Sequence, residues 1–377
     1  MKSVCLIVLL VSLLIVPVFL HYGFLVNVSA EQELPDLFVG VDVAYEDLAE
    51  TKKLIDEVSS YTNLFVIGCT GITYNNTKLN ETCQYVYDKG LSFIVYRDIA
   101  PRTEWLENAK KTWGDRFLGF YVFDEVGGRQ LDLREYWVTV LDADNCTDAG
   151  SQFINGINGS LTRFTRYHTY STDFPLFTSD YALYWFDYRA GYDVLLAQLG
   201  WNYSRQLNVA LCRGAAEVQN KNWGVMITWT YNNPPYIESG DELYEDIILA
   251  YNNGAKYILV FDTNRDYTHE VLKEEHLEAL KKFWNYANHN PQTSDALNDR
   301  VAYVLPEDYG YGFRGPNDKI WGIWQADSLS NEICTNLNNL MKKYGTKLDV
   351  IYADKQEPYN ISAYSKLIFW NGTTISK

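Results

Sequence analysis

Short apolar, β-rich runs alternate with helix-length stretches along most of this chain, and no other feature narrows its fold so far. Residues 37–43 read as a first strand, and 44–60 as a helix in which Leu48, Leu54 and Val58 fall near helical spacing. A second strand covers 63–69, a helix 79–89 with Gly90 as its stop, and a third strand 91–97. A helix over 103–113 leads into a fourth strand, 117–125 (FLGFYVFDE). The middle is less regular. Residues 131–141 read as helical, 142–159 as a polar, glycine-bearing loop with a broken helix, and 176–185 as a fifth strand. A short helix over 192–199 precedes a sixth strand at 206–213, a seventh at 223–230 and an eighth at 257–262. Helices over 242–252 and 272–288 fill the remaining spaces.

Eight strands with intervening helices over about 250 residues match a (β/α)8 TIM barrel in count and length. Parallel strands buried on both faces read as near-continuous apolar runs, and these do. An open doubly wound sheet is the main alternative. The barrel is favoured because no Gly-rich phosphate loop follows the first strand. After His289-Asn290-Pro291-Gln292 the pattern resets, with a strand at 301–305, an amphipathic helix at 328–344 and strands at 348–352 and 366–370. The expected organisation is α/β: a leader over 1–30, a barrel over 35–290 and a small α/β C-terminal module over 298–377.

The leader points outside the cytoplasm. Residues 4–20 form an apolar run behind Lys2, and the chain stays mostly apolar to Val26. As a helix this stretch is about 30 Å long, enough to cross a hydrocarbon core. Val28-Ser29-Ala30 offers small residues at signal-peptidase spacing, so a cleaved signal peptide and an uncleaved membrane anchor both fit. Either makes the body extracellular or cell-surface, with a membrane met only through the N-terminal segment. Asn-X-Ser/Thr acceptors at Asn27, Asn75, Asn80, Asn145, Asn158, Asn202, Asn360 and Asn371 suggest a glycoprotein. Behind Cys5 in the leader stand Cys69, Cys83, Cys146, Cys212 and Cys334, an odd number, and Cys69 with Cys83 is the expected disulfide. A net charge of −16 repels phosphate backbones, so nucleic acid is not an expected partner.

Barrel active sites form at the C-terminal strand ends. Here those ends carry Asp42 and Tyr45, Arg97 and Asp98, Asp124 and Glu125, then Trp185, Asp187 and Tyr188, Arg213, Trp229 and Tyr231, and Asp262. Carboxylates among aromatics suit glycoside cleavage, which needs one acid for the leaving oxygen and a second carboxylate as nucleophile or base. Glu125 is the sharpest general acid/base candidate, because partial burial past an apolar strand raises a carboxyl pKa. It also fits a plain helix cap or a partner of Arg129. Trp185, Trp229 and Tyr231 are candidate sugar platforms, with core packing the alternative. Arg97 and Arg213 suit hydroxyls or the carboxylate of an acidic sugar, or internal pairing with Asp124 or Asp98. No cofactor or metal is expected: there is no Walker or Rossmann loop and no Gly-x-Ser-x-Gly elbow. The Cys residues and the 5 His, among them His168, His269, His276 and His289, have no metal-site spacing.

The strand ending in Asp124-Glu125 with Gly127-Gly128 resembles the fourth-strand acid segment of (β/α)8-barrel glycoside hydrolases, over the barrel stretch of the chain. The resemblance implies a carbohydrate substrate, an oligosaccharide or glycan. The large retaining clan of such enzymes carries a second Glu at the end of the seventh strand. Here that strand ends Trp229-Thr230-Tyr231, and the nearest Glu is Glu238. Asp262 or Asp187 is therefore an alternative second carboxylate, and the chain departs from the two-Glu pattern of that clan. The C-terminal module resembles the flavodoxin-like or amidotransferase-like domains appended to some barrel glycosidases. It shows no nucleophile, since Cys334 lies within a helix. The competing reading is a non-catalytic carbohydrate-binding or cell-envelope protein on a degenerate TIM barrel.

Overall fold

The structure is a computed structural model that describes residues 36–134, 138–166, 174–292, 299–354 and 363–376. The leader, the acceptors Asn27 and Asn360, and His168 lie outside the described residues. Eight parallel strands close into a barrel: β1 (Phe38–Val43), β2 (Leu64–Ile67), β3 (Ser92–Tyr96), β4 (Phe117–Tyr121), β5 (Leu176–Asp180), β6 (Val194–Leu199), β7 (Asn222–Ile227) and β8 (Tyr257–Phe261). β8 pairs back onto β1, with Phe38 opposite Tyr257 and Asp42 opposite Phe261. Phe38, Leu64, Val66, Ile94, Phe177 and Leu196 are among the side chains that fill the interior. The filling makes this a packed core rather than a pore.

Around the barrel run α1 (Leu48–Val58), α2 (Asn76–Asp88), α3 (Thr103–Trp113), α4 (Val126–Asp132), α5 (Cys146–Arg166), α6 (Tyr184–Ala190), α7 (Arg205–Val218), α8 (Gly240–Asn252) and α9 (Glu274–His289). No helix among the described residues is long and apolar enough to cross a membrane. Some helix starts carry side-chain caps: Asp47 accepts from the Ala49 and Glu50 amides, and Ser239 with Glu242 forms a capping box.

Several sequence expectations change. The short helix expected at 192–199 is β6, and the strand expected at 206–213 lies within α7. β6 is buried along its whole length, so it shows no two-residue alternation, and its Leu, Ala and Gln are good helix formers. Among the described residues of the stretch read as a helix over 131–141, only the end of α4 is helical. Most of the expected loop over 142–159 belongs to α5, where Phe153, Ile157, Leu161 and Phe164 form a buried stripe. Glycines and polar residues on its other positions hid that stripe. The fifth strand stops at Asp180, and Tyr184 to Trp185 already belong to α6. Cys69 and Cys83 are free, buried thiols rather than a disulfide.

The C-terminal part forms a separate four-stranded sheet of order β10-β9-β11-β12, from β9 (Val301–Leu305), β10 (Leu348–Tyr352), β11 (Lys366–Phe369) and β12 (Thr374–Ser376), with α10 (Ser328–Tyr344) beside it. The first three strands are parallel, and β12 turns back antiparallel on β11. Barrel and sheet pack as one unit from Leu37 onwards. Their seam explains two residues expected at the barrel rim. Arg213 sits on α7, not at a strand end, and its Nε donates to Asp349 Oδ1 at 2.7 Å while Nη2 reaches the Thr346 carbonyl at 2.7 Å. Arg300 Nη1 holds the other Asp349 oxygen at 3.1 Å. Trp185 packs on Tyr352 at 5.7 Å between ring centroids, and Phe186 sits 4.6 Å from Trp321 and 5.0 Å from Tyr352. Each aromatic pair of this kind adds about 0.5–1.5 kcal/mol beyond its buried area.

Breaking a buried ion pair from one side costs about 3–5 kcal/mol, because a charge is left without its partner. Asp349→Ala is expected to lower unfolding free energy by that amount in urea titration. A loss below about 1 kcal/mol, the scale of an exposed pair, would show that the seam does not depend on this clamp.

Candidate active site

Side chains alternate along a strand, so the inward positions at the strand ends follow from the interior ones by steps of two. From Ile94, Phe177 and Leu196 the next inward positions are Tyr96, Ser179 and Gln198, and from Gly40 the next is Asp42. β4 contributes Tyr121. A polar layer thus closes the apolar interior at the C-terminal end of the barrel.

Asp124 and Glu125 stand above this layer. Phe123 and Glu125 on either side of Asp124 both have left-handed backbone, with φ of 52° and 59°. For side chains with a Cβ such a conformation costs energy, and it concentrates at functional sites. Asp124 Oδ1 accepts from the Tyr121 hydroxyl. The Ser179 hydroxyl lies 3.0 Å from the same oxygen and 2.7 Å from Tyr121. Gln198 Nε2 donates to Glu125 Oε1 and to Ser179 Oγ, each at 2.9 Å. Arg129 spans both acids, with Nε 3.5 Å from Glu125 Oε2 and Nη2 3.8 Å from Asp124 Oδ2. Desolvation, then the Glu125 charge beside it, pushes the Asp124 carboxyl up to about 7, against the pull of Tyr121, Arg129 and Ser179. Both acids remain reachable, with 30% and 20% of their side chains exposed.

The Gly127-Gly128 pair has a steric cause. A Cβ on Gly127 would lie 2.6 Å from the Ala182 carbonyl oxygen, and one on Gly128 would lie 2.1 Å from the Tyr181 ring. This closeness lets Asp180, at the end of β5, accept from the Gly127 amide at 2.6 Å and the Gly128 amide at 2.8 Å. It also takes the Tyr181 and Ala182 amides at 2.7 and 3.1 Å. A buried carboxylate therefore satisfies the free N–H groups of α4 and fixes the turn that carries Asp124 and Glu125.

The other expected acids do not face this pair. Asp262 is fully buried and its Oδ1 accepts the Val271 and Leu272 amides at 2.7 and 2.8 Å, so it ties down the loop after β8. Burial pushes its carboxyl up to about 6. Glu238 pairs with Arg205, which also holds Asp246 at 2.9 Å, and burial raises its carboxyl. Asp187 is on α6, fully buried, with no donor to either oxygen and Asp180 beside it. Asp42 does belong to the mouth. It is 5% exposed, burial and the Asp124 charge raise its carboxyl well above the usual range, and its Oδ1 has no partner.

Of the expected binding residues, Tyr45 is buried in the core outside the barrel interior. Arg97 lies over the Tyr74 ring at 4.8 Å and donates to the Ile99 carbonyl at 3.0 Å, which leaves it in packing rather than facing Asp124. Trp229 is at the rim. Its Nε1 donates to the Thr263 carbonyl at 2.6 Å, and its ring meets Phe261 at 5.4 Å and Tyr267 at 6.1 Å. Tyr267 feels the charges of Asp124 and Glu125, which raise its phenol pKa after burial does. Tyr231, 45% exposed, lines a groove of about 640 Å³ with Trp201, Thr230, Asn232 and Pro234. The sequence reading missed Tyr121, Ser179, Gln198 and Tyr267. The signal for the first three was a polar residue at an inward position of an otherwise apolar strand. Among the described residues no three His, Cys, Asp or Glu gather as a metal site.

No protein-family model matches the chain, and no curated protein matches its sequence. Solved structures match its shape. A beta-galactosidase from the psychrophilic Marinomonas ef1 has 10% sequence identity, with 88% of this chain and 72% of that chain covered at a TM-score of 0.53. GH5_18 from Streptomyces cattleya, in complex with GlcNAc, has 11% identity, with 89% of this chain and 99% of that chain covered at a TM-score of 0.52. What the chain shares with these two structures is the fold, a closed (β/α)8 barrel.

Asp187 also makes stability depend on pH. Its folded pKa is raised above the unfolded value near 3.9, so the folded state binds the extra proton and stability falls as pH rises from there. Asp187→Asn removes the proton and keeps the shape. Between pH 5 and 8, wild type is expected to lose stability with a slope of up to about 1.4 kcal/mol per unit, and the variant with a flatter slope, in urea titrations. Equal slopes would assign the pH dependence elsewhere.

Proposed function

We propose that this protein is an extracytoplasmic glycoside hydrolase-like protein acting on an oligosaccharide or glycan, with Asp124 and Glu125 as its acid/base centre. The observation that carries the reading is the reachable, strained acid pair at the end of β4, with Asp124 kept protonated up to about pH 7. A protonated carboxyl at neutral pH is what a leaving glycosidic oxygen needs. Glu125, held by Gln198 and Arg129, is the strand-end Glu that serves as acid/base partner. Tyr267 and Trp229 flank the pair as aromatic surface for a sugar ring. The apolar leader and the exposed acceptors Asn75, Asn80, Asn145, Asn158, Asn202 and Asn371 support placement outside the cytoplasm. The C-terminal sheet, whose parallel strands run in the order β10-β9-β11 around a single described helix, supports a flavodoxin-like or amidotransferase-like module with a structural role.

One observation favours the non-catalytic reading, a carbohydrate-binding or cell-envelope protein. Arg129 bridges Asp124 and Glu125 on one side of the mouth, whereas hydrolysis takes carboxylates on both sides of the bond. Asp262 and Glu238 are engaged elsewhere and Asp187 is buried on α6, which leaves Asp42 and Asp98, the latter held by the Tyr96 hydroxyl and the Phe123 amide, as the other acids at this end of the barrel.

A screen of aryl glycosides and oligosaccharides decides between them. Hydrolysis is expected to fall as pH rises through about 7, and Glu125→Gln is expected to lower kcat by about 100-fold or more. Sugar binding without turnover by the wild type would select the binding protein, and turnover unaffected by Glu125→Gln would remove Glu125 from the chemistry.

A further inference from the structure

The sequence suggested Arg97 and Arg213 for an acidic sugar, and both are used in packing. A different arginine is placed at the mouth. Arg265, in the loop after β8, lies between two indole rings, 5.4 Å from the Trp201 centroid and 5.2 Å from the Trp229 centroid. Its Nη1 donates to Asn232 Oδ1. The Trp201 amide in turn donates to the Trp229 carbonyl at 2.9 Å. Three loops, those after β6, β7 and β8, are thus fastened around one guanidinium, and its position is set before any ligand arrives.

Its charge is left over. Arg129, Arg205, Arg213, Arg300 and Arg314 each have a carboxylate within ion-pair distance. Among the described residues no carboxylate pairs with Arg265, although the chain carries 48 Asp and Glu against 32 Lys and Arg. A guanidinium has five donors in a fixed fork, and Asn232 occupies one of them. Arg265 also borders open space, since Trp201 and Asn232 both line the groove of about 640 Å³. That volume suits a small ligand or a short stretch of sugar chain. Tyr267 connects the two ends, because it touches Trp229 and lies within reach of the Asp124 and Glu125 charges. A ligand seated at the acid pair and long enough to pass Tyr267 and Trp229 would meet Arg265.

We propose that the barrel mouth recognises a saccharide bearing an anionic substituent, a carboxylate or a sulfate ester, and that Arg265 reads that charge. The inference rests on the carbohydrate reading of the same site and names its substrate class. The net charge of −16 repels anions at long range. Binding of an acidic sugar thus depends on a local cation with free donors, which Arg265 supplies. The two indoles serve to hold the guanidinium, so the Trp229 face turned to Arg265 is not available to stack a sugar.

The test is titration calorimetry on the full chain with oligogalacturonate, oligoglucuronate and sulfated galactan oligosaccharides. Each is compared with its methyl-esterified or desulfated counterpart of equal length. At least one anionic member is expected to bind about tenfold tighter than its neutral counterpart, the effect of one charge-assisted contact. Arg265→Gln is expected to erase that difference between charged and neutral counterparts, and Arg265→Lys, which keeps the charge, to keep part of it. Equal binding of charged and neutral counterparts, or a preference that survives Arg265→Gln, overturns the assignment. Cleavage of neutral sugars that depends on Glu125, without any charge preference, leaves the hydrolase reading standing and removes this one. Failure of every saccharide to bind removes both.

Discussion

The site depends on one buried carboxylate that never meets solvent. Asp180 collects four backbone amides, two from the start of α4 and two from its own turn. A helix start buried without acceptors is costly, since its first N–H groups have no partner within the helix. Asp180 removes that cost and, by doing so, fixes the chain between β4 and α4. Asp124 and Glu125 are held in that turn, with left-handed backbone on both sides of Asp124. Only glycine at 127 and 128 lets α4 come close enough for this, which ties the Gly-Gly pair in the sequence to the geometry of the acids.

The Asp180 anchor also explains the neighbourhood. Asp187 lies beside it on α6 without donors, so burial and the Asp180 charge keep its proton on. α6 in turn carries Trp185 and Phe186 into the seam with the C-terminal sheet, where the Arg213–Asp349–Arg300 clamp closes the contact. The sheet, α6 and the turn that carries Asp124 and Glu125 form a continuous chain of contacts. The C-terminal part therefore supports the barrel on the side where β5 and β6 present Ser179 and Gln198.

Much of the barrel was legible because buried parallel strands are apolar on both faces. The same property hid β6: the run 194–199 has neither alternation nor a β-branched excess, and it was exchanged with the helix behind it. The exchange kept the strand count correct while placing Arg213 at a strand end instead of on α7 and leaving Gln198 unnoticed. Asp124 and Glu125 were legible because they directly follow an apolar run. Sequence placed Asp262 only slightly ahead of Asp187 and Glu238, since burial and contacts from distant loops decide their roles. Arg265 was not legible, because its meaning comes from two tryptophans 64 and 36 positions away.

The polar layer of Asp42, Tyr96, Tyr121, Ser179 and Gln198 separates the packed barrel interior from the open mouth, and the acid pair, Tyr267 and the Arg265 groove lie above it. The most direct test is a crystal structure of Glu125→Gln with a bound oligosaccharide. The expected result is a sugar against Tyr267 whose glycosidic oxygen lies about 2.6–3.2 Å from Asp124 or from the residue 125 side chain. A saccharide bound elsewhere on the molecule, with the mouth of the barrel empty, would contradict the account.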